Sequence, residues 1–246
     1  MPAKRINRSV LGALERPTLA WIAQRLPARV TPDALTAAGF LGALLTAAGY
    51  VASRWSIQFL WLACLGLALH WAGDSLDGTL ARLRRAERPR FGFFVDHTSD
   101  LFAQTMVFLA LGASPCARFE TACLGLIAFL MTFVYTLIYA QVRATLRITY
   151  FGFGPTEIRA LLVIGNLITL AAGVVDLGCW GPLPERIRPV SIFDLVIALL
   201  AVTAIATLAV LAASPFIPEK WYGRIASIKT AHTGGDTGEI RLYYWH

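Results

Sequence analysis

Charge is scarce in this 246-residue chain: Asp, Glu, Lys and Arg together make up 15% of it, against 57% hydrophobic residues. With a mean hydropathy of +0.60, that scarcity excludes an ordinary soluble domain. Cysteine is sparse too. Cys64, Cys116, Cys123 and Cys179 stand at unrelated spacings, which excludes a disulfide framework or a cysteine-built zinc site and leaves free thiols. The N-terminal segment has basic residues but no uninterrupted apolar core before Glu15 and Arg16, so it does not read as a signal peptide. No internal repeat is visible. The net charge of +7 is spread around hydrophobic runs without a long basic stretch, which argues against nucleic acid as its target and suits an anionic lipid leaflet.

What is present is apolar length. Stretches almost free of charge recur at Leu35–Ala52, Trp55–Gly73, Leu101–Ala117, Thr121–Val142, Ala160–Val175 and Leu195–Pro218. Each approaches the roughly 20 residues that cross about 30 Å of hydrocarbon, the third and fifth by extending into polar flanks. The reading is an all-α integral membrane protein with six transmembrane helices. Of the 22 Lys and Arg residues, only Arg54, Arg118, Arg186 and Arg188 fall on one side of that arrangement, so both termini are expected in the cytoplasm. Before the first span, Pro17–Leu26 reads as an N-terminal interfacial amphipathic helix. Leu19, Ile22, Ala23 and Leu26 form its apolar stripe, with Trp21 at headgroup level. Thr31 and Pro32 then suit the cap and first turn of the first span. The expected divisions are a cytoplasmic segment 1–31 with the interfacial helix, a six-helix transmembrane domain 32–218 and a cytoplasmic tail 219–246.

One short stretch breaks the hydrophobic pattern. Asp74, Asp77, Gly78, Ala81 and Arg82 share one helical face, because residues three and four apart are neighbours. After a basic turn, Gly92, Asp96 and Asp100 share a face of the next helix at steps of four. Back to back, the two helices bring four carboxylates to one place. Four anions at a membrane boundary need cations, and hard oxygen ligands without nearby cysteine point to Mg²⁺ or Mn²⁺. Four carboxylates are enough to share between two such ions. Asp74, Asp77 and Asp96 are the first-choice ligands. Taken alone, Gly78 and Gly92 would suit helix packing and Arg82 a cytoplasmic anchor; the four aspartates have no comparable bland reading.

The pattern Asp74-x-x-Asp77-Gly78-x-x-Ala81-Arg82, nine residues, Gly92-x-x-x-Asp96-x-x-x-Asp100 closely resembles the signature of the CDP-alcohol phosphotransferase family at all eight defining positions. The resemblance implies a transferase that moves a substituted phosphate from a CDP-linked donor to an alcohol and releases CMP. It implies that Asp100 also reaches the second metal and is the base for the acceptor hydroxyl. Gly78, Ala81, Arg82 and Gly92 would line the CDP site, with Thr36 nearby, although Asp33 stands where the family commonly has Asn. A homodimer is implied as well.

Other polar residues have two readings each. His97 follows Asp96 as a His does in choline and ethanolamine phosphotransferases, and serves either as a partner to the metal ligands or base, or as a residue facing lipid headgroups. His70, within the second span, reads as a hydrogen-bonded packing residue. Arg143 and Arg147 lie near Thr156-Glu157-Ile158-Arg159, at the entrance to the fifth span. Thr156 can cap that helix and Glu157 favours its positive end, while Glu157 and Arg159 are also candidates for acceptor contacts. The leading function is phospholipid synthesis from CDP-diacylglycerol and a small alcohol. The alternative within the class pairs CDP-choline or CDP-ethanolamine with diacylglycerol. A membrane transporter or non-enzymatic scaffold is the rival of another class, but transporters usually carry their carboxylates near mid-bilayer in broken helices, often with repeats. A metal-dependent prenyltransferase is a third possibility, without a reason for the Gly78, Ala81, Arg82 and Gly92 spacing.

Overall fold

The computed structural model describes residues 4–6, 12–143, 145–147, 155–174 and 190–213, with side chains over 15–139, 155–174 and 190–212. The side chains of Arg143 and Arg147, most of the outer loop and the C-terminal tail lie outside the described residues. The chain divides into a unit of residues 1–205, which holds the site and every side-chain contact discussed below, and a second from residue 206 onward.

The helices follow in the order α1 (Gly12–Arg25), α2 (Pro32–Ala52), α3 (Leu60–Leu83), α4 (Pro89–Ala113), α5 (Phe119–Arg143), α6 (Pro155–Ala172) and α7 (Ile192–Ala213), with one short 3-10 turn at Ile57–Phe59. No sequence pattern marked β1 (Lys4–Ile6) and β2 (Thr145–Arg147), a three-residue parallel pair with Lys4 opposite Thr145. Apart from that pair the described residues are all-α in their regular structure. Among them, five segments are long and apolar enough to cross a bilayer: Pro32–Ala52, Ile57–Leu83, Phe119–Tyr139, Pro155–Ala172 and Ile192–Ala212. No more than 39% of any of these apolar windows is buried within the protein. Large side chains such as Leu65 and Leu199 point outward instead, as lipid-facing residues do. The remaining expected span falls on α4, whose 25 residues are long enough but whose first half carries Arg90, Asp96, Ser99 and Asp100.

α1 forms as its stripe predicts and starts earlier than expected, at Gly12, with Pro17 inside it. Leu19 and Ala23 bury against Leu76 and Leu80 of α3, with Ile22 and Leu26 packed beside them. Trp21 stays exposed under the Arg25 guanidinium, 3.9 Å from the ring centroid. Thr31 caps α2 as expected, accepting from Ala34 N at 3.1 Å, and Pro32 opens the helix.

The arrangement that places the site is the antiparallel packing of α2 on α3. Gly39 faces Gly73, Gly42 faces Gly66 and His70, and Gly49 faces Ala63. A Cβ added at Gly73 would lie 2.5 Å from Gly39 Cα, and one at Gly42 would lie 2.9 Å from His70 Cα. Only hydrogen fits there, so the backbones approach as closely as small-residue helix pairs allow. These glycines are therefore engaged within the chain. At the far end, Ser191 and Asp194 form a reciprocal capping box on α7: Asp194 N donates to Ser191 Oγ, and Ser191 N donates to Asp194 Oδ2. Arg118 N also donates to Asp194, which ties α7 to the α4–α5 connection.

Candidate active site

Close α2–α3 packing carries Thr36 to the level of Asp74 and Asp77, and α4 completes the third wall. Thr36, Gly39 and Phe40 of α2, His70, Asp74 and Asp77 of α3, and Asp96, Ser99, Asp100 and Ala103 of α4 line one pocket. A shallower groove continues from it between α2 and α4, past Asp33, Ala37, Phe91 and Val95. Carboxylate oxygens of Asp74, Asp96 and Asp100 lie within 4.8 Å of one another. This hard-oxygen donor set fits a divalent cation, since three carboxylates at that separation repel one another without one.

Asp77 lines the same pocket but stands outside that trio. Thr36 Oγ1 donates to Asp77 Oδ2 at 2.7 Å, and Gly78 N donates to its other oxygen. The structure thus brings Thr36 beside Asp77 at the pocket. Arg159, 94% withdrawn from solvent on α6, donates from Nη2 to Asp74 Oδ2 at 2.7 Å. It supplies a fixed cation beside the trio. Glu157, two residues earlier at the start of α6, is buried as well.

The remaining candidates lie around this centre. Gly78, Ala81 and Arg82 follow along α3, and Gly92 precedes Asp96 on α4; none of the four lines the pocket. Arg82 is exposed and donates to Thr79 Oγ1 at 3.2 Å. A Cβ at Gly78 would meet that guanidinium at 3.4 Å, while one at Gly92 would meet nothing within 4 Å. Among the described residues, then, no helix packs against Gly92. His97 turns towards α5: its ring stacks on Phe93 with centroids 4.0 Å apart and tilts against Phe133 at 5.8 Å. Its Nδ1 lies 3.0 Å from Phe93 O and 3.6 Å from Asp96 Oδ2.

Three placements differ from the sequence reading. His70 is not only a packing residue; it is buried and lines the pocket. Its spacing of four and seven from Asp74 and Asp77 was the available signal. Thr156 does not act as the cap foreseen for α6. Pro155 already opens that helix, and the Thr156 hydroxyl donates to Glu15 Oε2 of α1 at 3.2 Å. Glu15 itself was missed. Its Oε1 also accepts from Trp71 Nε1 at 2.7 Å and Ser75 Oγ at 2.9 Å.

Comparison with known proteins agrees with this geometry. The chain is 30% identical over 138 residues to cholinephosphotransferase 1 of Gallus gallus, a match covering 50% of this chain and 40% of that protein. It is 37% identical over 83 residues to the phosphatidylinositol phosphate synthase of Cutibacterium acnes (strain DSM 16379 / KPA171202), covering 34% of this chain and 38% of the relative. The matches thus span about two fifths of each relative's length. The family model for CDP-alcohol phosphatidyltransferase matches residues 29–210, a region that holds every pocket residue. The chain belongs to the CDP-alcohol phosphatidyltransferase family.

Proposed function

We propose that this protein transfers a substituted phosphate from a CDP-linked donor to an alcohol, releasing CMP, in phospholipid synthesis. The gathering of Asp74, Asp96 and Asp100 within 4.8 Å carries this reading. Asp74, Asp77, Asp96 and Asp100 would hold two divalent ions, Mg²⁺ or Mn²⁺. When bound, these ions neutralise the pyrophosphate oxygens and the charge that develops on the departing CMP.

The chain's own groups position the reactants. Thr36, Gly78, Ala81, Arg82 and Gly92 would receive the CDP moiety; the bare Gly92 leaves space for a flat base, and Arg82 offers a fixed positive charge to phosphate. Asp100 takes the proton from the acceptor hydroxyl as its oxygen bonds to the β-phosphorus and the bond from that phosphorus to the CMP oxygen breaks. Glu157 and Arg159, with Arg143, are proposed on the acceptor side. The site lies at the end of α3 and the start of α4, beside the basic turn 82–90, so it faces the cytoplasm in a six-span, multi-pass protein of a bacterial inner membrane. A homodimer is part of the proposal.

CDP-diacylglycerol with a small water-soluble alcohol is the favoured pair. The Asp96-His97 dipeptide and the similarity to a cholinephosphotransferase favour a second reading, in which a soluble CDP-amino alcohol meets diacylglycerol. CMP release by purified protein with Mg²⁺ separates them. One arm pairs CDP-diacylglycerol with glycerol 3-phosphate, serine, inositol, inositol phosphate or choline; the other pairs CDP-choline or CDP-ethanolamine with diacylglycerol. CMP in one arm assigns the donor. No CMP in any pairing and no nucleotide binding would overturn the proposal.

A further inference from the structure

Besides the Asn166 Nδ2 contact to Cys64 Sγ at 3.6 Å, two polar bridges join α3 to α6 side by side near the aspartates. One is direct, from Arg159 to Asp74 at 2.7 Å. The other runs through α1: Glu15 accepts from Ser75, the residue after Asp74, at 2.9 Å, and from Thr156, one turn before Arg159, at 3.2 Å. Trp71, one turn before Ser75, donates a third bond to the same carboxylate at 2.7 Å. All three donors converge on one half-buried side chain, and an ionised acceptor makes such bonds stronger than neutral ones.

The direct bridge has reason to need this support. Arg159 is buried, yet its Nε has no hydrogen-bond partner among the described residues. A buried donor left unpaired is costly, and Nε adds nothing to the hold that Nη2 has on Asp74. That contact depends on where the first turn of α6 stands relative to α3, and Glu15 bonds both helices at this level.

We infer that Glu15 is a positioning residue for the carboxylate site, holding the start of α6 against α3 so that Arg159 meets Asp74. It touches neither donor nor acceptor and acts through Arg159. This rests on the reading of Asp74 as part of a cation site, but its test does not depend on turnover.

The experiment is Mn²⁺ binding by the purified full chain in detergent after stripping with EDTA, followed by the EPR signal of free Mn²⁺. Wild type, Glu15→Ala, Glu15→Gln, Arg159→Gln and the double variant Glu15→Ala/Arg159→Gln form a cycle. Residues coupled through a shared network are non-additive, so Glu15→Ala should shift the Mn²⁺ Kd by about fivefold or more, and by less than about twofold when Arg159 is already Gln. Glu15→Gln keeps the Oε1 acceptor and an amide that Thr156 Oγ1 can accept from, and should stay within about twofold of wild type. An unchanged Kd in Glu15→Ala, an equal shift in both backgrounds, or no Mn²⁺ binding by wild type would each overturn the inference. If Glu15→Ala does not purify as a folded protein, Thr156→Ala removes one arm alone and is read in the same cycle by the same criteria. Failure of CMP release with an intact binding cycle would count against the proposed reaction and not against Glu15.

Discussion

Thr36 on α2 donates its hydroxyl to Asp77 Oδ2 on α3 at 2.7 Å, so two spans meet at one carboxylate of the pocket. The bond exists because Gly39 and Gly73 let those helices touch. A hydrogen bond to a charged group contributes about 1.5–3 kcal/mol, equivalent to about tenfold to a hundredfold in kcat/KM if it orients Asp77 for the reaction. Thr36→Val should lower kcat/KM for CMP release by that factor, and Thr36→Ser should restore most of it. Steady-state kinetics on the two variants provide the check.

Gly42→Ala tests the packing that builds the site. Alanine gains about 1 kcal/mol of helix propensity over glycine, but its Cβ would lie 2.7 Å from Gly66 O and 2.9 Å from His70 Cα. Both are backbone atoms that cannot rotate away. Overpacking of this kind costs about 1–3 kcal/mol, so the clash outweighs the propensity. The variant should melt lower than wild type in detergent, whereas Gly92→Ala, facing open space, should not.

Arg159 neutralises part of the carboxylate trio. Arg159→Gln should therefore lower the Tm most when divalent ions are chelated. Breaking a buried pair costs about 3–5 kcal/mol; the 23% exposure of the Asp74 side chain reduces this to about 1–2 kcal/mol through solvent screening. At this chain length that corresponds to about 2–8 °C. Mg²⁺ should recover more of the loss in the variant than it adds to wild type, measured by paired melts in EDTA and Mg²⁺.

Arg84 donates to the carbonyls of Leu26, Pro27, Ala28 and Val30, the connection between α1 and α2. Those carbonyls have no helix to satisfy them. Arg84→Ala should make residues 26–30 more susceptible to limited proteolysis, with cleavage mapped by mass spectrometry.

The parts of this protein legible in its sequence are those encoded by local spacing. The faces of Asp74, Asp77, Asp96 and Asp100, the stripe of α1 and the Thr31 cap all follow from periods of three and four residues. Glu15 was not legible, because its partners lie 56, 60 and 141 residues away and no local pattern marks a lone carboxylate as their meeting point. Thr156 misled because the helix opens one residue earlier, at Pro155, which puts Thr156 inside the first turn, where its hydroxyl donates to the distant Glu15. Periodicity told which face of α3 was polar. The glycine contacts with α2 decided what that face would meet.

The central claim is that the aspartate cluster performs a CMP-forming transfer, and Asp96→Asn tests it most directly. The substitution keeps size and shape while removing one charge from the trio. The account predicts that wild type releases CMP in the productive donor–acceptor pairing with Mg²⁺, that EDTA abolishes it, and that Asp96→Asn loses it while eluting and melting as a folded protein. Retained CMP release in folded Asp96→Asn would contradict the account.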